Sequence, residues 1–294
     1  MSDLALGQGA RRRTAGARRL ALGRVLRRVA LYLVLVLGAL YAAAPFAWML
    51  LTSLKRRGEA LADPPTLLPG VWHFDNYAKA WRAAPFERYF INTFFICFCV
   101  VVGVVFTSTL AAYAFARMDF YGRNVLFVLF LSTLMIPFET IIIPNFIIIK
   151  NLHWLNRYPA LIVPWSASVF SVFLLRQFFS QLPQELFDSA ELDGAGHLRT
   201  LWSIVLPLAK GPLAAVMLFA FLGAWNSLLW PLIVTSSKDI RPIQLGLSVF
   251  INEDAQEPQL LMAASAFTIA PIVALYFVAQ RQFMAGLASS GLKG

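Results

Sequence analysis

Residue types that carry out chemistry are sparse in this sequence and poorly spaced for it. The three histidines, His73, His153 and His197, lie in separate polar stretches far apart in the chain, so neither a metal cluster nor a catalytic triad is expected. Ser189, Ser203 and Ser227 lack the G-x-S-x-G turn that exposes a nucleophilic serine. The segment GLASSGLK (286–293) comes near a phosphate-binding loop, but its lysine is one place late and no Ser or Thr follows it. Cys97 and Cys99 stand two apart in one apolar run, where helical positions do not face each other, so they read as small packing residues. No catalytic residue, metal site or nucleotide site is expected in this chain.

Polar groups set within apolar runs are more informative, because hydrocarbon tolerates them only where they face a cavity or another helix. Glu139 and Asn145, in LMIPFETIIIPNF, are one such set. If the helix passes through Pro137, Glu139 faces a transport path or a helix partner; if it ends there, Glu139 is an outer-surface residue. GAWNSLLWPLIV is the other set. Trp225 and Trp230 offer flat apolar faces suited to sugar rings, and Asn226 and Ser227 offer hydrogen bonds to hydroxyls. Against that stand plainer roles: Asn226 bonding across helices, and Trp230 in an interfacial belt.

The elements that must position these groups follow from composition. The 294 residues are 59% hydrophobic and 14% charged, with a mean hydropathy of +0.67, which excludes an ordinary soluble domain. Apolar windows of about 20 residues suit membrane-spanning helices, and six are found: Val29–Leu54, Ile91–Ala116, Asn124–Pro144, Pro159–Phe179, Leu208–Thr235 and Gln259–Val278. The expected class is all-α, a polytopic membrane protein with six transmembrane helices. The third window carries Pro137 and Pro144, so its outer end is expected to break or to form a second short helix. The net charge of +10 comes largely from eight arginines before position 29, with little aromatic interleaving, which argues against nucleic acid. They form a basic tail, 1–28, that places the N-terminus on the cytoplasmic side; without this tail the remaining loops carry no such bias. The six-helix region covers 29–281, and 282–294 is a cytoplasmic tail. Between the first two windows, KRRGEALADPPTLLPGVWHFDNYAKAWRAAPFERYF suits a structured loop at the outer surface.

One polar stretch breaks the apolar pattern on the cytoplasmic side. Pro183 suits a helix start, Leu186, Phe187 and Ala190 share one face, and Gln184, Asp188 and Glu191 share another. Gly194 and Gly196 can turn the chain, after which Leu198, Leu201, Trp202 and Val205 repeat at one-face helical spacing up to Pro207. The spacing predicts a helix, a glycine turn and a helix over about 183–206. Such a unit is either a plain connector or a docking surface with an acidic face.

The order Asp188-Ser189-Ala190, three residues, Gly194, nine residues, Ile204-Val205-Leu206-Pro207 is similar to the cytoplasmic signature of ABC importer permeases, Glu-Ala-Ala, three residues, Gly, nine residues, Ile-x-Leu-Pro. The first loop, LDGAGHLRTLWSIVLPL, AWNSLLWPLIV and the ending QRQFMAGLASSGLKG resemble the second permease subunit of maltose-type carbohydrate importers. The likeness covers nearly everything after residue 29. Asp188 replaces the family's glutamate and Ser189 its first alanine. The resemblance implies a type I importer permease fold and makes Asp188, Ser189, Ala190, Asp193, Gly194, Ile204, Leu206 and Pro207 the coupling segment that docks on an ATPase. It also implies a second homologous permease, two ATP-binding subunits that hold ATP and Mg, and an extracytoplasmic binding protein. The location implied is a bacterial or archaeal cytoplasmic membrane. The alternative, a secondary transporter or channel without ATPase subunits, calls for inverted repeats or ion-coupling carboxylates within the spans.

Overall fold

The computed structural model describes the backbone of residues 3–250 and 257–290, and the side chains of residues 26–250 and 257–277. Among the described residues every regular element is helical. A backbone in hydrocarbon must satisfy its own N–H and C=O groups, which is why the apolar runs fold as helices. In chain order the main helices are α1 (Asp3–Ser53), α2 (Asp75–Ala83), α3 (Phe86–Arg117), α4 (Arg123–Ser132), α5 (Phe138–Asn151) and α6 (Tyr158–Ile162). They continue with α7 (Val169–Gln181), α8 (Gln184–Leu192), α9 (His197–Leu208), α10 (Lys210–Trp225), α11 (Leu229–Val234) and α12 (Pro258–Ser290).

Four stretches are long and apolar enough to cross a membrane: Leu26–Ser53, Phe86–Arg117, Tyr158–Gln181 and Pro258–Phe277. Two bent pairs bring the number to the expected six if each pair is one span. The first joins Arg123–Met135 to Phe138–Asn151 at 101°, and the second joins His197–Leu208 to Lys210–Trp225 at 87°. The third window is therefore not one helix. Pro137, extended at ψ 142°, caps α5 and supplies no N–H to continue the preceding turn, whereas Pro144 is absorbed inside α5. The fifth window also differs from expectation: Leu208 belongs to α9, α10 stops at Trp225, and the chain resumes helix only at Leu229. At the N-terminus, α1 runs without interruption across the expected tail boundary at residue 28. The backbone of α12 likewise continues past residue 282, while the side chains expected in the C-terminal tail lie outside the described residues.

The helix α3 is the hub, packed against α7 and α10. A close approach makes this possible: a Cβ on Gly103 would lie 2.6 Å from the Cβ of Ser166, and Thr107 Oγ1 donates to the Ser166 carbonyl at 2.9 Å. Val100, Val104, Leu175 and Val216 bury one cluster, and Phe86, Tyr89, Trp225 and Ile243 another. By contrast, every residue of α1 from Leu31 to Leu37 is more than half exposed in the single chain, an apolar surface that must meet lipid or another helix.

The loop after α1 is structured, as its composition suggests. Asn76 Nδ2 donates to the carbonyls of Ser53 and Lys55 at 2.8 and 2.9 Å, satisfying acceptors the helix end leaves open. Lys55, only 1% exposed, donates to the Thr66 carbonyl and lies 4.5 Å over the Trp48 ring. Lys79, 2.6 Å from Asp75, holds that exposed carboxyl below its usual range.

Candidate functional site

Two places gather the candidate residues: the polar unit between α7 and α10, and a cavity between α3, α7, α10 and α11.

The polar unit begins at Pro183, whose extended geometry (φ −58°, ψ 141°) turns the chain out of α7. Along α8, Ala190 is buried and Phe187 half-buried, while Gln184, Asp188, Ser189 and Glu191 are exposed. Leu186, expected on the apolar side, is 37% exposed, so the buried stripe is narrower than the sequence suggests. Ser189 Oγ donates to the Glu185 carbonyl at 2.7 Å, and Gln184 Nε2 donates to Asp188 Oδ1 at 3.0 Å. Gly194 ends the unit's first helix with φ +72°, the left-handed geometry that favours glycine. Its N–H bonds the Glu191 carbonyl at 2.9 Å, and the Ala195 N–H reaches back to Ala190 at 2.9 Å, the paired closure of a Schellman turn. Asp193 is exposed just before it.

The second helix, α9, contains a π-helical turn over Leu201–Val205. The expected apolar face divides there. Leu201 and Val205 are fully buried in the chain's own core, but Leu198 and Trp202 are 64% and 52% exposed. The four side chains cover a wide arc, and the molecule's core meets only half of it. Ile204 and Leu206 are half-buried and Pro207 is exposed. The corner into α10 falls at Ala209, two residues after Pro207, and Ala209 is buried.

Residues that sequence reasoning missed anchor this unit. Arg117, at the end of α3, and Arg176, on α7, tie the two helices together beside this unit, and Tyr113 Oη lies 3.4 Å from His197 Nδ1. The arginines act on backbone carbonyls, which leave no side-chain pattern to read.

The cavity has a volume of about 610 Å³, within the range usual for small-molecule sites. Asn226 and Ser227 line it, in the unwound stretch between α10 and α11, together with Trp230. Thr93, Ser168 and Ser171 add hydroxyls that the sequence reading did not single out, and Trp165 adds an indole. Ser168 caps α7, its Oγ accepting from the Ser171 N–H at 3.2 Å. The Trp165 Nε1 is buried without an acceptor among the described residues.

Three candidates are placed elsewhere. Trp225 is fully buried in the second cluster, edge-on to Phe94 at 5.0 Å and stacked on Phe221 at 5.3 Å, so it packs and presents no face to the cavity. Glu139 is exposed in the first turn of α5, beyond the break at Pro137, and Asn145 is half-buried farther along; neither lines the cavity. Trp230 reaches the cavity but is also structural, its Nε1 donating to the Ala160 carbonyl at 2.8 Å and its ring edge-on to Trp165. The histidines are separate: His73 meets Arg56 and Asp75, His153 sits in a turn at φ +56°, and His197 meets Tyr113. Among the described residues no three His, Cys, Asp or Glu side chains gather as metal ligands.

A helical chain of four to six spans, with a polar helical unit joining α7 to α10 at one end and a cavity at the other end of these two helices, fits a transport permease. Residues 90–288 match the family described as binding-protein-dependent transport system inner membrane component, and the chain belongs to that family. It is thus a multi-pass, non-catalytic membrane subunit that works with a substrate-binding protein, a further permease and an ATPase. It is 36% identical over 267 residues to the sn-glycerol-3-phosphate transport system permease protein of Yersinia enterocolitica, covering 88% of this chain and 95% of the relative. It is 33% identical to the diacetylchitobiose uptake system permease protein of Streptomyces coelicolor, over 87% of this chain and 86% of that one. It is also 33% identical to the arabinooligosaccharides transport system permease protein of Bacillus subtilis, over 91% and 96%. In fold it matches a chain of a bacterial ABC transporter involved in import of the acidic polysaccharide alginate, with a TM-score of 0.77 and 23% identity, over 87% of this chain and 95% of that chain.

Proposed function

We propose that this chain is the permease subunit of an ATP-driven, binding-protein-dependent importer for a carbohydrate or related polyol, and that residues 183–207 are its coupling segment. The observation that carries the proposal is the 87° corner at Ala209, which joins α9 directly to α10, the helix that ends at the cavity wall. A push on the projecting unit therefore has a rigid route to the transport path. Its exposed acids, Asp188, Glu191 and Asp193, and the uncovered apolar side chains Leu192, Leu198 and Trp202 give a partner both charge and apolar surface to grip.

In this reading two ATP-binding subunits hold ATP and Mg and close on nucleotide binding. The segment follows, and α10 turns with it, moving the spans between inward-facing and outward-facing packings. Such a change is a shift between two states that each contact biases differently. The apolar run of α1 meets lipid and the second, homologous permease. Both termini are cytoplasmic, and an extracytoplasmic binding protein delivers the substrate to the far side. The relatives' substrates, glycerol phosphate, diacetylchitobiose and arabinooligosaccharides, share hydroxyl-rich surfaces. The cavity suits them, with hydroxyls, an amide and an indole N–H that lacks an acceptor.

Asn226→Leu tests the path. Uptake by the reconstituted complex should fall about tenfold, the loss expected for one hydrogen bond to substrate, while substrate affinity of the binding protein stays unchanged. Unaltered uptake would remove Asn226 from the path.

A further inference from the structure

Arg117 occupies the last residue of α3, at the point where that helix, the end of α7 and the start of α8 converge. Its Nε and Nη2 donate to the Phe179 carbonyl at 3.0 and 2.6 Å, and Nη2 also donates to the Leu182 carbonyl. These carbonyls lie at the C-terminal, negative end of the α7 dipole, and the Phe179 oxygen is otherwise met only by a long bond of 3.4 Å from the Leu182 N–H. The remaining arm, Nη1, donates to Gln184 Oε1 at 3.1 Å, and the guanidinium plane lies 4.0 Å over the ring of Phe187. One side chain thus grips span two, span four and the first coupling helix.

The bond to Gln184 has a directional consequence. An arginine only donates, so it fixes the Gln184 oxygen toward itself and turns the amide nitrogen outward. That nitrogen donates to Asp188 Oδ1 at 3.0 Å. The orientation of the exposed Asp188 carboxylate is therefore set by a residue on a different helix. Arg176 ties the same two spans in the opposite sense, its Nε donating to the Phe115 carbonyl at 3.2 Å, while its guanidinium lies 3.8 Å over Phe127 of α4. The sub-assembly of α3, α7 and α8 is thereby held from both sides.

We propose that Arg117 is the positioning residue of the coupling segment: through Gln184 it orients Asp188 for the ATPase, and through Phe179 and Leu182 it makes α3, α7 and α8 move together. The proposal rests on the coupling assignment above. Lysine cannot substitute, because its single ammonium has neither the planar fork that spans carbonyls and amide nor a flat face for Phe187.

The test uses the complete reconstituted complex and measures substrate molecules imported per ATP hydrolysed. Arg117→Lys should lower that ratio about tenfold, in line with loss of one or two charged hydrogen bonds, with the yield of assembled complex within twofold. Gln184→Ala, an exposed position that leaves assembly intact, should lower it about threefold, in line with one weaker link. The double variant should be no worse than Arg117→Lys alone, because Arg117 acts on Asp188 through Gln184 and the two changes break one chain of contacts. A loss of assembled complex with the ratio unchanged, or an unchanged ratio in Gln184→Ala, overturns the proposal. Gly194→Pro separates the two levels. If it stops uptake while the Arg117 and Gln184 variants keep their ratio, positioning by Arg117 is wrong; if it too has no effect, the coupling assignment itself fails.

Discussion

Gly194→Pro should reduce ATP-driven uptake to background, at least about a hundredfold, while the complex still assembles in the membrane. Proline fixes φ near −65°, whereas this position requires +72°. Substitution also removes the N–H that bonds the Glu191 carbonyl. The closure from Ala195 to Ala190 cannot then form, and α9 leaves α8 in a new direction. The effect is one of backbone alone, since a Cβ at Gly194 would meet nothing within 4 Å. Gly194→Ala is accordingly the control. It adds about 1 kcal/mol of left-handed strain without losing the hydrogen bond, and it should keep most of the uptake. Paired uptake and complex-yield measurements on the two variants check this. Loss of uptake in both, or in neither, would show that the direction of the turn is not what matters.

Asp188→Lys should abolish stimulation of the ATPase by substrate-loaded binding protein, with transport falling about a hundredfold or more. The carboxylate is exposed on the polar face of α8 and held by Gln184, and in the proposed docking it meets a basic partner surface. Reversing it breaks the bond to Gln184 and sets like charges against each other, a change worth about 2 to 5 kcal/mol at a close interfacial pair. Asp188→Glu restores the longer reach typical of the resembled signature and should retain at least about a third of the stimulation, as the charge is kept. Measured stimulation that survives the lysine variant would remove Asp188 from the interface.

How far the sequence could be read depended on whether the signal was local. Pro183 and Gly194 punctuate the chain by their own backbone preferences, so the helix, turn and helix were legible, and the spacing to Pro207 carried the family resemblance. Pro137 announced the break in the third window for the same reason. The break after Trp225 was missed although its signal is local: Pro231, in the first turn of α11, has no N–H to give and its ring excludes a helical carbonyl four residues earlier, at Ser227, within the unwound stretch. Trp225 and Trp230 look alike in sequence and point into different surroundings, one a packed aromatic cluster and the other the cavity wall. Helical phase relative to the rest of the fold decided that. Ser168 and Ser171 belong to the site only because α7 begins beside α10. Arg117 was invisible because its main partners are carbonyl oxygens, identical at every residue.

The central claim is that a separate ATPase grips this chain at residues 183–207 and works on it from there. Its most direct measurement is a cysteine cross-link from Ser189→Cys, at an exposed position on α8, to the ATPase subunit of the assembled complex, with Cys97 and Cys99 replaced. The account predicts a cross-link to the ATPase that stops uptake when formed and is restored to full uptake on reduction. A complex in which position 189 reaches no ATPase subunit, or in which the cross-link leaves uptake unchanged, would contradict it.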